Sequence, residues 1–217
     1  MAYLCTRVSK ATTDDWRKLR RLLNFLQCTI DDERIVSATN LKTLFTWVDA
    51  SYAVHPDMRS HTGGTMSLGG GVLNTMSAKQ KLNTKSSIEA EVIGASDYLP
   101  KNIWAVLFLE AQGHHLDNNI FFQDNLSAMK LERNGLRSCG QKSRHIDVRH
   151  FWIMDRIRSG DIDLRHCPTE DMLADYFTKP LQGAAFQRFR SVIMGWKPIS
   201  TLFNQPLDPA ESKERVE

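Results

Sequence analysis

The period of hydrophobic positions changes along the chain, and each change predicts a different element. After TTDDW the spacing is helical: Thr13 can cap the first turn, and Trp16 and Leu26 lie on one apolar stripe. From residue 44 the pattern becomes strand-like in LFTWVDASYAV and again in GTMSLGGGVLNTMS, where the glycines at 69–71 mark a turn or bulge. The first part of the chain is therefore predicted to contain one helix followed by three strands.

The rest of the chain alternates helices with short strands. Ile88 and Val92 lie on one helical stripe in SSIEAEVIGASDYL, and Pro100 starts or kinks a second helical stretch that ends at Gly113. The later elements are, in order, the strand NNIFFQDN, the helices SAMKLERNG and HIDVRHFWIMDRIRSG, the strand DIDLRHC, and the helices PTEDMLADYFTKP and QGAAFQRFRSVIMGW. Successive strands favour an antiparallel meander and alternating ones favour parallel crossovers, so an α/β fold with a mixed sheet flanked by helices is predicted.

Composition changes this picture little. The 217 residues are 41% hydrophobic and 24% charged, which is typical of a globular domain, and a net charge of +3 permits polyanion binding without requiring it. The four cysteines form no C-x-x-C pair, so neither a disulfide framework nor a zinc knuckle is predicted. No apolar stretch approaches the length of a membrane span and the N-terminus lacks a signal-peptide core, so we expect a cytosolic or nuclear location and no membrane partner.

Asp49 is the most unusual residue in the predicted strands, because a carboxylate within a hydrophobic run is costly unless it is paired, hydrogen-bonded or bound to a metal. Asp124 ends another strand at the carboxyl edge of the sheet, and Asp175 lies a turn beyond the first-turn acids of its helix. In SSIEAEV, helical geometry leans toward Glu91 over Glu89 without deciding between them.

Each of these acids has a structural explanation when taken alone. Four acids converging from two strands and two helices would repel one another unless a cation neutralised them. Mg²⁺ favours oxygen ligands, and two such ions can activate a water and stabilise the leaving oxygen in phosphodiester cleavage. The pattern therefore favours a shared metal site with Asp49 as one ligand.

Five segments closely resemble, in order, the ribonuclease H domain of copia-type retrotransposon Pol polyproteins: WVDASYAVHPDMRSHTGG, KQKLNTKSSIEAEVIGA, FFQDNLSAM, KSRHIDVRHFWIMDRI and CPTEDMLADYFTKPLQG. The resemblance implies a ribonuclease H-like mixed five-stranded sheet flanked by helices. It carries the family's four catalytic, metal-binding acids over to Asp49, Glu91, Asp124 and Asp175, and it settles Glu91 over Glu89. The family commonly has Gln at the position of Leu126 and Thr at that of Ile88, which concerns substrate contacts rather than metal binding.

The same resemblance divides the chain into three parts. Residues 1–43 are similar to the connection segment at the end of a reverse transcriptase, residues 44–183 form the ribonuclease H-like domain, and residues 184–217 are predicted to be a C-terminal helix and a flexible tail. The residues before the first strand are too few for a polymerase domain, so we expect a C-terminal fragment or a truncated element copy. The implied protein partner is the polymerase domain of the same polyprotein.

The implied activity is an endoribonuclease that hydrolyses the RNA strand of RNA–DNA hybrids with two Mg²⁺ ions, for which Mn²⁺ can substitute. A catalytically silent remnant that binds nucleic acid without cleaving it is the main alternative. Another nuclease or integrase of the same fold class is disfavoured by the LADYFTK context of the last acid.

Basic and polar residues near the motifs are the predicted nucleic-acid contacts, because backbone phosphates need basic donors and the 2′-hydroxyl distinguishes RNA. The set comprises Lys79, Lys81, Lys85, Ser86, Ser87, Asn125, Lys142 and Arg144. A solvated basic loop explains each lysine equally well when it is taken singly. His166 precedes PTED and can approach the site to assist product release, although strand alternation can equally point it away.

Overall fold

The structure, a computed structural model, describes residues 2–134 and 144–203. It separates into two compact units, Met1–Arg34 and Ile35–Glu217. The described helices are α1 (Ala2–Cys5), α2 (Thr13–Cys28), α3 (Ser87–Ala111), α4 (Leu126–Asn134), α5 (Arg144–Arg158), α6 (Asp175–Thr178) and α7 (Gly183–Ile193), with short 3-10 helices at Val8–Lys10, Thr169–Asp171 and Ile199–Leu202. The strands are β1 (Ser37–Ala38), β2 (Thr43–Ser51), β3 (His61–Ser67), β4 (Gly69–Gly70), β5 (Asn74–Lys79), β6 (Asn118–Gln123) and β7 (Asp163–His166). The domain boundaries after residues 43 and 183 stay predictions.

In the first unit, α2 begins with a capping box. The N-cap is Thr12 rather than the predicted Thr13: its side chain accepts a hydrogen bond from the backbone N–H of Asp15, whose carboxylate accepts one from the backbone of Thr12 at 2.9 Å. Thr12 takes this role because its backbone is extended, whereas Thr13 already lies in the helix. Asp15 is buried and also pairs with Arg7 at 3.2 Å.

The second unit is built on a sheet with the strand order β5-β3-β2-β6-β7. The pairs β2–β3 and β3–β5 are antiparallel, whereas β2–β6 and β6–β7 are parallel. The sheet confirms the predicted fold class, a ribonuclease H-like mixed five-stranded sheet flanked by helices. A separate pairing of β1 with β4 was not predicted, because strands of two residues are too short to show a period.

Both faces of the central strand β2 are buried. Leu44 and Val48 belong to the hydrophobic cluster that includes Leu99 of α3. Trp47, on the opposite face, packs in a second cluster with Leu173 and residues of α7. Because Asp49 follows Trp47 at an interval of two, it lies on the face that the segment before α6 covers.

The helix α3 runs without interruption through Pro100, so no new helix starts there. Beyond the proline, the side-chain amide of Asn102 donates to Thr46 Oγ1 at 2.8 Å and exchanges hydrogen bonds with Asn119 at 2.8 Å. These contacts attach the second half of α3 to the sheet, beyond the proline that lacks an N–H. Within the described ranges, no helix combines the length and the apolar character needed to cross a bilayer.

The segment PTEDMLADYFTKP forms two short helices rather than the single predicted one. The 3-10 helix Thr169–Asp171 ends where Met172 leaves helical geometry at ψ 89°, and α6 begins at Asp175. Met172 and Leu173 are fully buried, and placing both in the core interrupts the helix. Asp175 therefore is a first-turn acid, contrary to the sequence interpretation.

Candidate active site

Three aspartates meet beside the carboxyl ends of two neighbouring parallel strands. Asp49 lies near the end of β2, Asp124 follows β6 directly, and Asp175 opens α6. Each offers one carboxylate oxygen, and these atoms all lie within 4.8 Å of one another. Asp49 and Asp175 are buried and Asp124 is half-buried. The structure thus brings three of the four predicted acids into one cluster.

A glycine in β3 allows α6 to reach the cluster. Gly63 is the partner of Asp49 in the antiparallel pairing of β2 with β3. A Cβ at this position would lie 2.6 Å from the Thr178 side chain and 2.9 Å from the carbonyl oxygen of Ala174. The missing side chain therefore lets α6 pack against β3, which places Asp175 near Asp49.

The fourth predicted acid, Glu91, lines the same cavity of about 560 Å³ as Asp49 and Asp124, but it is not part of the three-residue cluster. Glu91 is buried, and its Oε2 has no hydrogen-bond partner among the described residues. By contrast, Glu89 accepts a hydrogen bond from the backbone N–H of Lys85 at 2.7 Å, at the start of α3. Glu91 rather than Glu89 therefore lines the cavity, and the catalytic role that the resemblance gives it stays a prediction.

Two residues that the sequence reasoning missed contact the cluster. The Lys179 ammonium lies 2.7 Å from Asp175 Oδ1 and 4.0 Å from Asp49 Oδ1, and it lines the cavity. The hydroxyl of Thr178 donates a hydrogen bond to Asp49 Oδ2. The spacing of Asp175 and Lys179, four residues apart, is typical of ion pairs and is the signal that could have found Lys179.

Burial makes these carboxylates harder to ionise. It raises the pKa of Asp49, against the hydrogen bond from Thr178 and the charge of Lys179. Burial also raises the pKa of Asp175 to about 6, against its hydrogen bond from Lys179. Burial, followed by the charges of Asp49 and Asp124, raises the pKa of Glu91 well above its ordinary value. Acids whose ionised forms are disfavoured by burial and by neighbouring carboxylates are suited to sharing a cation.

The donor set fits a divalent metal. All the acids offer oxygen, which hard cations such as Mg²⁺ prefer, and the unpartnered buried Oε2 of Glu91 is suited to a cation or its water shell. The acidic cluster of Asp49, Asp124 and Asp175 is therefore consistent with divalent metal use.

The turn after β6 is held by a buried amide. Gln123 Oε1 accepts hydrogen bonds from the backbone N–H groups of Asp124 at 3.0 Å and Asn125 at 3.3 Å. Asn125 Oδ1 in turn accepts from the backbone N–H groups of Ser127 and Ala128, each at 3.0 Å, at the start of α4. These bonds fix the position of Asp124 at the cavity and keep Asn125 in its lining.

Asn125 lines the cavity, whereas the other predicted nucleic-acid contacts in the described ranges do not. Lys79 pairs with Asp57 at 2.6 Å, and the Ser86 hydroxyl caps α3 by accepting from the backbone N–H of Glu89 at 3.2 Å. The remaining described members are exposed: Lys81, Lys85 and Ser87. Lys142 and the side chain of Arg144 lie outside the described part of the chain. These assignments stay predictions.

The predicted role of His166 also stays open. This residue is exposed at the end of β7, and it is not among the residues that line the cavity.

Fold and site together define an α/β protein of ribonuclease H-like architecture with a buried acidic cluster. No family model matches the chain. It is 30% identical over 195 residues to the retrovirus-related Pol polyprotein from transposon RE2 of Arabidopsis thaliana, an alignment covering 87% of this chain and 13% of the relative. It is 27% identical over 181 residues to the polyprotein from transposon TNT 1-94 of Nicotiana tabacum, covering 83% and 13% respectively. The chain is thus a homologue of one segment of the Pol polyproteins of plant copia-type transposons, as the sequence resemblance predicted.

Solved structures with detectable similarity include two ribonucleases H. RNase H1 from the archaeon Halobacterium salinarum is 15% identical with a TM-score of 0.39, and the match covers 61% of this chain and 90% of that one. LC11-RNase H1 in complex with an RNA/DNA hybrid is 11% identical with a TM-score of 0.42, covering 59% and 88%.

Proposed function

We propose that the chain is an endoribonuclease that hydrolyses the RNA strand of RNA–DNA hybrids. The observation that carries this proposal is the meeting of three carboxylate oxygens, from Asp49, Asp124 and Asp175, within 4.8 Å at the edge of the sheet. Glu91 adds a fourth acid to the same cavity. An oxygen-only cluster of this kind suits phosphodiester cleavage better than it suits a purely structural role, because the single charge of Lys179 compensates only part of the repulsion among its acids.

Asp49, Glu91, Asp124 and Asp175 are the residues that would hold two Mg²⁺ ions, or Mn²⁺ in their place. When bound, such ions activate a water and stabilise the leaving oxygen of the phosphodiester. The chain itself positions these acids. Thr178 orients Asp49 by its hydrogen bond, and the side-chain amide of Gln123 holds the backbone N–H of Asp124.

The cavity lining supports a sugar–phosphate substrate. Ser51, Tyr52 and Asn125 line the cavity with the acids, and residues with such polar side chains would suit recognition of the 2′-hydroxyl of the RNA strand. We assign Lys79, Lys81 and Lys85, in the approach to α3, to phosphate contacts farther along the duplex.

The chain spans only 13% of the length of its Pol relatives. We therefore propose that it works with the polymerase domain of the same polyprotein, which would make the hybrid that this domain degrades. The expected location is the cytoplasm, within retrotransposon particles, or the nucleus.

Incubating the purified chain with a hybrid whose RNA strand carries a fluorescent label tests this activity. We expect cleavage of the RNA strand with Mg²⁺ or Mn²⁺, and no cleavage of duplex DNA of the same sequence. Asp124→Asn should abolish cleavage, because it removes a charged member of the cluster.

The matched control is Asp117→Asn, which removes an exposed aspartate paired with Lys42 outside the cluster and should leave cleavage unchanged. Absence of cleavage by folded parent protein at high enzyme concentration would favour a catalytically silent remnant that only binds the hybrid.

A further inference from the structure

Lys179 holds a position that a metal ion would need. Its ammonium lies 2.7 Å from Asp175 Oδ1 and 4.0 Å from Asp49 Oδ1, two residues whose carboxylate oxygens also belong to the acidic cluster. Asp49 Oδ2 is occupied by the hydroxyl of Thr178, so Oδ1 is the oxygen of Asp49 that faces the ammonium. The lysine thus sits against two of the three acids that form the cluster.

This ion pair differs from a structural one in the same protein. Arg188 bonds to Asp171 at 2.6 Å and also donates to the carbonyl oxygens of Glu170 and Leu202, so several protein acceptors fix it. Among the described residues, the ammonium of Lys179 makes its side-chain hydrogen bond to Asp175. The exposures of the two pairs are alike, 38% for Lys179 against 6% for Asp175 and 39% for Arg188 against 7% for Asp171, so the smaller number of protein acceptors is what distinguishes the lysine. Lys179 can therefore leave for solvent while the acids stay in place.

We propose that Lys179 is the internal counter-cation of the acidic site: it neutralises Asp49 and Asp175 before metal binds, and it must move away when a divalent ion enters. This inference rests on the proposed function, because it presupposes that the cluster binds metal. A divalent ion bound at about 2 Å to the same oxygens would stand close to the ammonium, and two cations so near each other repel strongly. The charge of Lys179 therefore sets the metal concentration at which the site fills.

The test is Mn²⁺ binding by calorimetry, together with thermal melts, for the full chain carrying Lys179→Met. Methionine keeps much of the side-chain volume and removes the charge. We expect Mn²⁺ to bind about tenfold more tightly, the order of magnitude for losing one nearby, partly solvated like charge. The variant should also melt at a lower temperature than the parent without metal, and the difference should shrink at saturating Mn²⁺.

Three further variants keep the test decisive. Lys179→Gln retains a hydrogen-bond donor toward Asp175 without the charge. It replaces the methionine variant if that variant does not fold, and it should also bind Mn²⁺ more tightly than the parent. Lys179→Arg keeps the charge and should leave Mn²⁺ affinity at or below that of the parent. Lys42→Met removes a lysine paired with Asp117 outside the cluster and should leave the affinity unchanged.

The inference would be overturned if the uncharged variants bound Mn²⁺ no more tightly than the parent and melted lower by the same amount with and without Mn²⁺. Lys179 would then be a structural partner of Asp175. If the parent binds Mn²⁺ and Asp124→Asn does not, the metal site of the proposed function stands whatever Lys179 does. If the parent binds no Mn²⁺, the metal site of the proposed function and the role of Lys179 both fail.

Discussion

The two carboxylate oxygens of Asp49 have different surroundings. These surroundings determine how unfavourable the buried negative charge is. Oδ2 accepts the hydroxyl of Thr178, while Oδ1 lies 4.0 Å from the ammonium of Lys179. From the sequence, the metal-free site is expected to carry uncompensated repulsion among four acids. That expectation is wrong in part, because Lys179 compensates some of it.

Asp49→Asn should separate a metal ligand from a structural aspartate. The amide oxygen of asparagine can still accept from Thr178, and the loss of charge relieves repulsion with the neighbouring acids. We therefore expect hybrid cleavage to be lost while the metal-free variant melts at the same temperature as the parent or higher. A structural role predicts the opposite, a loss of roughly 1–3 kcal/mol in the free energy of unfolding with cleavage retained.

Glu132 predicts a specific pH dependence of stability. It is fully buried on α4, neither carboxyl oxygen has a hydrogen-bond partner in the described ranges, and burial raises its pKa to about 8. Between the ordinary pKa of 4.5 and this value, the unfolded chain is ionised while the folded protein keeps its proton. Folding then takes up a proton, so this group makes stability fall as pH rises, with a limiting slope of about 1.4 kcal/mol per pH unit.

Glu132→Gln removes that proton equilibrium and nearly preserves the side-chain shape. We expect parent and variant to have similar melting temperatures near the acidic end of the window and the variant to melt higher at its alkaline end. The control is Glu110→Gln, at an exposed position of α3. Its melting temperature should follow that of the parent at every pH. A variant that loses stability equally at every pH would show that the carboxyl group makes a stabilising contact instead.

At the scale of elements, the close approach of α6 to β3 assembles the aspartate cluster. Gly63→Ala places a Cβ within 2.6 Å of Thr178 and 2.9 Å of the backbone of Ala174, so α6 must shift. We expect the variant to lose about 1–3 kcal/mol of stability, as overpacked sites do. It should also lose the stabilisation by Mg²⁺ in thermal melts, because Asp175 moves away from Asp49.

The matched control for this variant is Gly160→Ala. Gly160 has a φ of +78° with nothing within 4 Å of its ideal Cβ position, so alanine there is strained without touching the site. It should lower stability and leave the Mg²⁺ response intact. If Gly63→Ala behaves in the same way, the glycine is not what brings Asp175 to the cluster.

The lysines that precede α3 are the predicted phosphate contacts, and their substitution tests this assignment. Replacing Lys79, Lys81 and Lys85 with alanine should weaken hybrid binding and flatten its dependence on salt, by about one unit of slope for each phosphate that is no longer neutralised. Because Lys79 pairs with Asp57, the double variant of Lys81 and Lys85 separates phosphate binding from the effect of breaking that ion pair. A salt slope that stays unchanged in fluorescence anisotropy titrations would show that none of the three lysines contacts a phosphate.

At the scale of the whole molecule, metal binding should be linked to folding. The cluster joins residues from β2, β6 and α6, so it exists only in the folded protein. Mg²⁺ should therefore raise the melting temperature progressively with its concentration, with about 2.7 kcal/mol of stabilisation at a hundred times its Kd. NaCl at equal ionic strength separates site binding from general screening, because Na⁺ screens charges without the affinity of a divalent ion for clustered carboxylates. A melting temperature insensitive to Mg²⁺ would contradict a metal site.

Much of the fold follows from the local pattern. The strand period around Trp47, the helical period around Val92 and the succession of three strands before alternating units predict the observed sheet and its flanking helices. These features are local because a residue and its near neighbours determine which side of an element is apolar. The position of the helix cap at Thr12 and the break before Asp175 were missed, since they depend on backbone geometry and on burial of Met172 and Leu173.

The candidate site was likewise predicted from the sequence only in part. The sequence pattern alone marks Asp49, Asp124 and Asp175 as candidates, and the resemblance settles Glu91 over Glu89 as the fourth. Only the tertiary structure decided that three of these acids form the tight cluster, that Lys179 and Thr178 contact it, and that Lys79 pairs with Asp57 instead of lining the cavity. The physical reason is that periodicity reports the face on which a side chain lies, whereas contacts between residues over a hundred positions apart depend on how whole elements pack.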